Sequence, residues 1–396
     1  MLPISKMAAA VQPSATLAAG AKARQLKTEG KIVYDFSLGE PDFTTPKHIC
    51  DAAYKAMIDG HTHYTAASGI AELRGAIARW YKRNYGYEFS PEQVIVSNGA
   101  KHSLHNALAA TVGPGDEVII PTPYWVSYSD LVQRTGASYV LVKTTEASGF
   151  KMTPAQFKAA ITPRSKLVML NSPSNPTGIV YSRAELERLA DVALEAKLGV
   201  ISDEIYEKLV YGSAKPTCFA LLRPKLAEQV ITISGVSKSY AMTGWRIGWS
   251  IGPAHVIKVM GNVQSQETSN PSSISQYAAI AALDGDEKCV EDMRKEFEVR
   301  RDLVCSRLRA LPGIRCPIPD GAFYAFFNVE SYFGKTLKGK KIADSASFCA
   351  AALETVHVNL VQGSAFGAEG YVRLSFATSK EQINKGIDKL AEFLQG

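Results

Sequence analysis

The sequence has 396 residues, of which 46% are hydrophobic and 21% charged, and 44 basic against 38 acidic side chains give a formal net charge of +6. This composition is typical of a folded globular protein and excludes a disordered chain. The length favours one large domain and one smaller domain. The charge is modest and the basic run at Lys338–Lys341 is short, so we expect no nucleic-acid partner.

The sequence also gives an expectation about location. No apolar run approaches the ~20 residues needed to cross a bilayer. The Ala-rich segment 1–20 lacks the basic start and apolar core of a signal peptide. Six cysteines without a CxxC pair indicate free thiols in a reducing compartment. We therefore expect a cytoplasmic protein that has no membrane partner.

Between residues 92 and 252, short apolar runs alternate with amphipathic stretches such as Ala184–Ala196. This alternation predicts an α/β domain with a mainly parallel sheet of seven strands. Turn motifs at 113–116 and 172–178 lie at strand ends, and ligands bind beyond the carboxyl ends of strands in such sheets. The predicted strands are Val94–Ser97, Glu117–Pro121, Ser138–Lys143, Leu167–Asn171, Val200–Asp203, Val230–Ser234 and Ile247–Ile251.

After residue 286 the pattern changes to that of a smaller α+β domain. A long charged helix is predicted over Glu287–Leu311, and a helix around Ser345–Thr355 separates strands at Ala322–Phe327 and Tyr371–Ala377 before a closing helix at Lys380–Phe393. We expect the N-terminal segment to join this part. The predicted domains are therefore 48–286, and 1–47 together with 287–396.

The stretch from Ser237 to Trp249 carries the most specific chemistry. Lys238 follows a predicted strand, stands beside hydroxyl side chains and precedes Arg246 by eight residues. A lysine amine condenses with an aldehyde, while Ser237 and Arg246 suit a phosphate dianion. The pattern indicates a cofactor that bears both an aldehyde and a phosphate. Taken alone, this stretch is equally consistent with a surface lysine at position 238 and a structural arginine at position 246.

Other strand ends offer groups that complement such a cofactor. Asp203 closes an apolar strand, where an unpaired carboxylate is costly and a protonated pyridine nitrogen would be a suitable partner. Tyr206 and Asn175 are placed to bind a ring hydroxyl. An N-cap role for Asp203 is the structural alternative.

Gly99, Ala100 and Lys101 lead from the first strand into an amphipathic helix, whose free N–H groups would bind phosphate. Trp125 follows the next strand and would cover one face of the ring, although a lone aromatic is more often part of a core. The pair His102 and His105 has no third ligand nearby in sequence. We interpret it as helix packing rather than a metal site.

Together these motifs resemble the class I aminotransferases of the fold-type I pyridoxal-phosphate superfamily, and most of all the prokaryotic-type (subgroup 1b) aspartate aminotransferases. The resemblance implies the fold-type I architecture, pyridoxal 5'-phosphate as cofactor, and a homodimer with shared sites. It covers almost the whole chain, and the matching segments are Pro13–Thr16, Gly39–Phe43, Tyr64, Ser68–Ile70, Gly99–Lys101, Pro121–Tyr128, Asn175–Gly178, Asp203–Tyr206, Ser237–Gly248, Gly321–Tyr324, Gly363–Gly367 and Val372–Ser375.

The resemblance also implies a role for each matching position. Lys238 would form the Schiff base and move the substrate proton, and Asp203 would pair with the pyridine nitrogen. Arg373 would bind the substrate α-carboxylate with help from Asn175 and the Gly39 backbone. The remaining cofactor contacts would come from Asn175 and Tyr206 at the ring hydroxyl, Trp125 and Ile205 on the ring faces, and Gly99, Ala100, Ser237, Arg246 and the other subunit's Tyr64 at the phosphate.

Substrate choice depends on the side-chain pocket. The stretch Gly261–Gln276, where the other aspartate aminotransferase branch places its distal arginine, contains no Arg or Lys. The resemblance instead assigns the distal carboxylate to Lys101, with Thr16 nearby, although Lys101 would also suit phosphate binding. Aspartate with 2-oxoglutarate is the expected pair of an amino acid and a 2-oxo acid. The same Thr and Lys occur in relatives that transaminate prephenate, which stays open as an alternative.

Two other classes of protein share these motifs. A cofactor-dependent lyase would use the same lysine, aspartate and arginine, but Lys101 favours a dicarboxylate and the whole-chain match favours amino transfer. A cofactor-sensing regulator would need an added DNA-binding domain, whereas the matching pattern begins near residue 13. We therefore expect an aminotransferase.

Overall fold

The computed structural model describes residues 2–5, 9, 11 and 13–395, and parts of the predicted terminal segments lie outside these residues. Its regular elements alternate between strands and helices through the middle of the chain. The strands are β1 (Tyr34–Asp35), β2 (Val94–Ser97), β3 (Glu117–Thr122), β4 (Ser138–Lys143), β5 (Ser165–Asn171), β6 (Gly199–Asp203), β7 (Val230–Gly235), β8 (Gly248–Ile251), β9 (Tyr324–Asn328), β10 (Thr336–Leu337), β11 (Lys340–Lys341), β12 (Val358–Asn359), β13 (Val361–Gln362) and β14 (Tyr371–Ser375).

The helices cover both faces of the large sheet and surround a second, smaller one. None of the helices in the described part of the chain is long and apolar enough to span a membrane. The α-helices are α1 (Ala15–Thr28), α2 (Lys47–Ile58), α3 (Ala71–Tyr85), α4 (Ala100–Thr111), α5 (Ser127–Gln133), α6 (Pro154–Ala160), α7 (Arg183–Glu195), α8 (Ala254–Glu267), α9 (Ser273–Asp284), α10 (Lys288–Arg309), α11 (Ser345–Val356) and α12 (Lys380–Leu394).

The large sheet has the strand order β2-β8-β7-β6-β5-β3-β4. Every neighbouring pair is parallel except those that involve β8, which runs antiparallel to both β2 and β7. Because successive side chains of a strand point to opposite faces, Val94 and Val96 enter one hydrophobic core while Ile95 enters another. Each such buried side chain contributes about 1.5–3 kcal/mol to stability. The predicted seven-stranded, mainly parallel sheet is confirmed.

The second sheet has three antiparallel strands in the order β13-β14-β9. It packs with α10, α11 and α12 around a core that includes Phe323, Phe348 and Leu390. β1 pairs in parallel with β12 and so brings the N-terminal part of the chain to this region. The structure therefore combines a large α/β sheet with a smaller α+β unit, as predicted for this fold class.

Candidate active site

A cavity of about 260 Å³ opens where several strands of the large sheet have their carboxyl ends. Its walls come from the loops that follow β2, β3, β5, β6 and β7, and from β14 of the small sheet. The structure thus gathers residues that are up to several hundred positions apart in the sequence. The predicted site residues that line it are Thr16, Gly39, Ala100, Lys101, Trp125, Asn175, Asp203, Ile205, Tyr206, Ser237, Lys238, Arg246 and Arg373.

Lys238 presents its amine to this cavity from the loop after β7. Its Nζ donates a hydrogen bond to the carbonyl oxygen of Gly39 over 2.6 Å. Desolvation lowers the pKa of the Lys238 ammonium to about 8, and the positive charges of Arg246 and Arg373 act in the same direction, against Glu40. A substantial fraction of Lys238 is therefore an unprotonated, nucleophilic amine near pH 8.

Asp203 lies at the end of β6 and is buried without an ion-pair partner among the described residues. Its Oδ2 accepts a hydrogen bond from the Tyr128 hydroxyl over 2.6 Å, and its Oδ1 accepts one from the Ile205 backbone over 3.2 Å. Burial raises the pKa of the Asp203 carboxyl to about 6. No helix begins at Asp203, so the N-cap interpretation does not apply. A cationic ligand group would relieve the cost of burying this carboxylate.

The opposite end of the cavity is built for an anion. Helix α4 begins at Ala100 without a side-chain cap, which leaves the N–H groups of Ala100 and Lys101 open to a ligand, while those of His102 and Ser103 donate to the Gly99 carbonyl. Gly99 has φ +86°, and a Cβ there would collide with the Arg246 guanidinium. Ser237 adds a hydroxyl. Glycine at position 99 thus permits the close approach of Arg246 to the helix N-terminus.

Arg373 is a fully buried cation on β14. Its Nη1 donates to Asn175 Oδ1 over 2.9 Å and its Nη2 donates to the Ser37 carbonyl over 2.7 Å, but its Nε has no partner in the structure. No carboxylate of the described residues pairs with it, and burial lowers its pKa. The unsatisfied N–H and uncompensated charge indicate an anionic ligand.

Lys101 is the second lysine at the cavity. Its Nζ lies 4.9 Å from the centroid of the Trp125 ring, and no carboxylate in the described part of the chain forms an ion pair with it. Desolvation, followed by repulsion from Arg246, lowers the pKa of Lys101. Thr16 lines the same cavity. One cavity therefore holds two separate cationic groups, Lys101 and Arg373, in addition to Lys238 and Arg246.

Some residues at the site have no assigned role in the sequence-based interpretation. Tyr324 exchanges a 2.8 Å hydrogen bond with Tyr206 and stacks on Arg373, whose guanidinium carbon lies 4.5 Å from the ring centroid. Tyr128 holds Asp203, and Ser37 holds Arg373. The only available signal was that Tyr324 and Tyr128 fall within the family-like segments. Their partners are distant in sequence and could not be paired from it.

Two predicted groups lie elsewhere. Tyr64 is 90% exposed and lines a separate surface cavity with Thr62 and His63, so this chain alone does not bring it to the site. His105 Nε2 lies 2.9 Å from Glu267 Oε1, and His102 Nε2 lies 3.7 Å from Glu267 Oε2. These contacts join α4 to α8, which accords with the interpretation of both histidines as packing residues.

Two buried glutamates, Glu204 and Glu207, follow Asp203 in the sequence. Glu204 is 2% exposed, and its Oε1 accepts hydrogen bonds from the Ser202 hydroxyl and the Phe219 N–H, while its Oε2 has no partner. Desolvation, with added repulsion from Glu207, raises the pKa of Glu204 to about 8. Glu204 is therefore largely protonated in the folded protein at neutral pH.

This protonation predicts a pH-dependent stability. A raised carboxyl pKa stabilises the fold at low pH, and the contribution is lost as pH rises from the ordinary value of 4.5 to about 8. Between about pH 5 and about pH 9, we expect wild type to lose on the order of 3 kcal/mol more unfolding free energy than Glu204→Gln. Urea unfolding of both proteins at the two pH values measures this difference. Identical pH dependence would contradict the protonated state of Glu204.

Comparison with known proteins identifies the family of this chain. Residues 31–390 match the family described as aminotransferase class I and II. The chain is 47% identical over 392 residues to an aspartate aminotransferase from Geobacillus stearothermophilus and 46% identical over 395 residues to an aspartate/prephenate aminotransferase from Cereibacter sphaeroides, with 99% of each chain covered. The crystal structure of an aspartate aminotransferase from Rhizobium meliloti superposes with a TM-score of 0.96 at 42% identity, covering 100% of this chain and 99% of that one. The resemblance is confirmed: this chain belongs to the class I and II aminotransferase family.

Proposed function

We propose that this chain transfers the amino group between L-aspartate or glutamate and the corresponding 2-oxo acids, 2-oxoglutarate and oxaloacetate. The observation that carries the proposal is the placement of two cations without carboxylate partners, Arg373 and Lys101, in the cavity that holds the Lys238 amine. An amino acid with two carboxylates complements this arrangement. Relatives at 47% and 45% identity are named aspartate aminotransferases.

The residues present fit pyridoxal 5'-phosphate as the cofactor. Lys238 would hold its aldehyde carbon, and Asp203 would pair with its ring nitrogen. Asn175 supports this fit because its Oδ1 is taken by Arg373, while its amide nitrogen has no acceptor among the described residues and would be free for the ring hydroxyl beside Tyr206. The uncapped first turn of α4, Gly99, Ser237 and Arg246 would hold the phosphate, and Trp125 and Ile205 would flank the ring. When bound, this cofactor serves as an electron sink for the carbanion formed at the substrate Cα.

Arg373 and Lys238 have separate roles in the proposed reaction. Arg373 orients the amino acid through its α-carboxylate, with the guanidinium already fixed by Asn175 and Ser37. Lys238, once released as a free amine, takes the proton from Cα, for which its lowered pKa is suited. The first oxo acid leaves before the second binds, so the kinetics are ping-pong. Substrate binding at Arg373 of the small sheet draws that part of the chain over the cavity and excludes water.

Prephenate is the alternative amino acceptor. The Thr16 and Lys101 pair lies at the cavity, where it would suit a ring-borne carboxylate. Two relatives, at 46% and 44% identity, are named aspartate/prephenate aminotransferases. Transamination of prephenate would yield arogenate.

Parallel measurement of kcat/KM separates these two acceptors. The cofactor-loaded enzyme would be assayed for transfer from aspartate, tyrosine and alanine to 2-oxoglutarate, and for transfer from glutamate to prephenate. High aspartate turnover with little prephenate turnover supports the first proposal. Comparable or greater prephenate turnover would make this an arogenate-forming enzyme.

Replacing Lys101 by alanine tests the distal-carboxylate site. We expect kcat/KM for aspartate to fall on the order of tenfold to a hundredfold, because one charge-assisted hydrogen bond is lost, while alanine is transaminated as in wild type. Steady-state assays of both substrates measure the split, with Lys101→Arg as the charge-retaining control. An equal loss for both substrates, accompanied by weaker cofactor binding, would assign Lys101 to the phosphate instead.

Two proposals concern organisation. We propose a large cofactor-binding domain at 48–286 and a small domain formed by 1–47 with 287–396. The β1–β12 pairing and the contact of Ala23 and Val33 with Leu353 support the assignment of the N-terminal segment. We also propose a homodimer in which Tyr64 reaches the other subunit's phosphate site, supported by its exposure in the single chain. Sedimentation velocity tests the dimer.

A further inference from the structure

The segment from Asp35 to Asp42 carries two of the carbonyl groups that hold the active-site cations. The Ser37 carbonyl accepts from Arg373, and the Gly39 carbonyl accepts from Lys238. Between Leu38 and Phe43, however, the structure shows no backbone–backbone hydrogen bond. The Thr243 hydroxyl donates to Glu40 Oε2 over 2.8 Å. The position of the Gly39 carbonyl therefore depends on this bond and on what holds the segment at its two ends.

The first end is anchored by polar contacts to the small sheet region. Asp35 Oδ1 accepts from the Ser37 N–H over 3.1 Å, from the Ser37 hydroxyl over 2.7 Å and from Asn359 Nδ2 over 2.8 Å. Asp35 is also paired with Asn359 in the β1–β12 ladder. This end is thus fixed by both backbone and side-chain bonds.

The second end is anchored on helix α10 by Arg300 and by Phe297, whose ring centroid lies 5.3 Å from that of Phe43. Arg300 Nη1 lies 2.7 Å from Asp42 Oδ1, and Arg300 Nε lies 2.9 Å from Glu296 Oε1. The Arg300 side chain is only 7% exposed, and its guanidinium lies 5.1 Å from the Phe43 ring and 5.6 Å from the Phe297 ring. Because the Arg300 side of this pair is shielded from water, the pair holds Asp42 more firmly than a fully exposed pair would.

We propose that Arg300, acting through Asp42, is a positioning residue that sets the Gly39 backbone against Lys238 and the bound carboxylate. It does not line the cavity, and it acts on the substrate carboxylate and the reacting amine only through the segment it holds. This inference rests on the proposed function for its effect on substrates. Its effect on Lys238 itself does not depend on that function.

The test uses Asp42→Asn and Arg300→Met, with Arg301→Met as the matched control. Arg301 is the next residue of the same helix, but its ion pairs are with Glu298 and Asp302 of that helix. Asp42 is 30% exposed, so Asp42→Asn is the milder variant should Arg300→Met fail to fold. Thermal unfolding of all four proteins separates loss of fold from loss of position.

Three measured quantities are expected to change together in Asp42→Asn and Arg300→Met. The dissociation constant of maleate, a dicarboxylate with no amine to transfer, and the KM values of aspartate and alanine rise by similar factors, about tenfold, because a displaced Gly39 backbone no longer helps Arg373 to bind a carboxylate. In the cofactor-free protein, the pH midpoint for modification of Lys238 by trinitrobenzenesulfonate falls, because the Gly39 carbonyl no longer stabilises the ammonium form. Peptide mapping identifies Lys238 as the modified residue.

Unchanged maleate binding and an unchanged Lys238 midpoint in a folded Asp42→Asn protein would overturn the positioning role. Equal effects in Arg301→Met would also overturn it, because they would reduce the role to general stability of α10. If wild type transfers no amino group while Asp42→Asn and Arg300→Met still shift the pH midpoint for modification of Lys238, the proposed function fails and the positioning role stands.

Discussion

Replacing Lys238 by alanine is expected to lower kcat on the order of 10⁴-fold for every amino acid, because the change removes the amine proposed to take the Cα proton. The structure shows why no other residue would substitute. The Lys101 amine lies over the Trp125 ring, and Asp203 is held by Tyr128 and the Ile205 N–H. The variant is also expected to lose the absorbance that arises from covalent attachment of the cofactor to the protein. Stopped-flow assays and absorbance spectra measure the two losses.

An exposed lysine provides the control for this experiment. Lys225→Ala removes a lysine from a surface turn and is expected to leave both the spectrum and the turnover unchanged. If Lys238→Ala retained turnover and the covalent cofactor spectrum, the assignment of the whole site would be wrong.

Replacing Arg373 by lysine is expected to lower kcat/KM on the order of 10²–10³-fold, and by the same factor for aspartate and alanine. Lysine keeps the charge, but it cannot donate two parallel hydrogen bonds to a carboxylate while also bonding Asn175 and Ser37. The uniform loss distinguishes Arg373 from Lys101, whose replacement affects dicarboxylates alone. Steady-state kinetics with the two substrates measure the effect.

Arg315→Lys is the matched control, since Arg315 lies beside the same small sheet but is exposed and paired with Glu146. We expect it to behave as wild type. A loss confined to aspartate in Arg373→Lys would mean that Arg373 binds the side-chain carboxylate and that the α-carboxylate is held elsewhere.

The large sheet was predictable because buried strands appear in the sequence as apolar runs. Val94–Ser97 and Ser138–Lys143 have the same bounds in prediction and structure, and β3, β5 and β6 differ by one or two residues. The direction of β8 was not predictable. The chain returns to the sheet through the short helix Thr243–Trp245 and Arg246, which has a left-handed backbone conformation. The sequence of this connection does not distinguish an antiparallel return from a parallel one.

The helices before residue 92 were not predicted. Helix α1 has only Gly20 and Ala23 buried, so it lacks the apolar stripe by which a surface helix is recognised. Its position depends on contacts with strands more than 300 residues away, such as the Asn359 side-chain bond to the Ala19 carbonyl. No local pattern encodes such a contact.

The candidate site was predictable where local motifs carry it. Lys238, Asp203 and Arg246 follow strands, and the structure brings them to one cavity as expected. The contacts that orient them depend on the tertiary fold instead. Tyr128 is 75 residues from Asp203, and Ser37 is 336 residues from Arg373, so neither pairing could be inferred from spacing. The functional roles of all these residues stay predictions until variants are measured.

A half-reaction with aspartate tests the central claim most directly. Cofactor-loaded enzyme is mixed with excess aspartate and no oxo acid, and the oxaloacetate formed per active site is measured together with the fate of the amino group. An aminotransferase yields up to one equivalent of oxaloacetate, retains the nitrogen on the enzyme, and releases it as glutamate when 2-oxoglutarate is added. Continued conversion of aspartate without an oxo acid, to fumarate and ammonia or to alanine and carbon dioxide, would contradict amino transfer and identify a lyase.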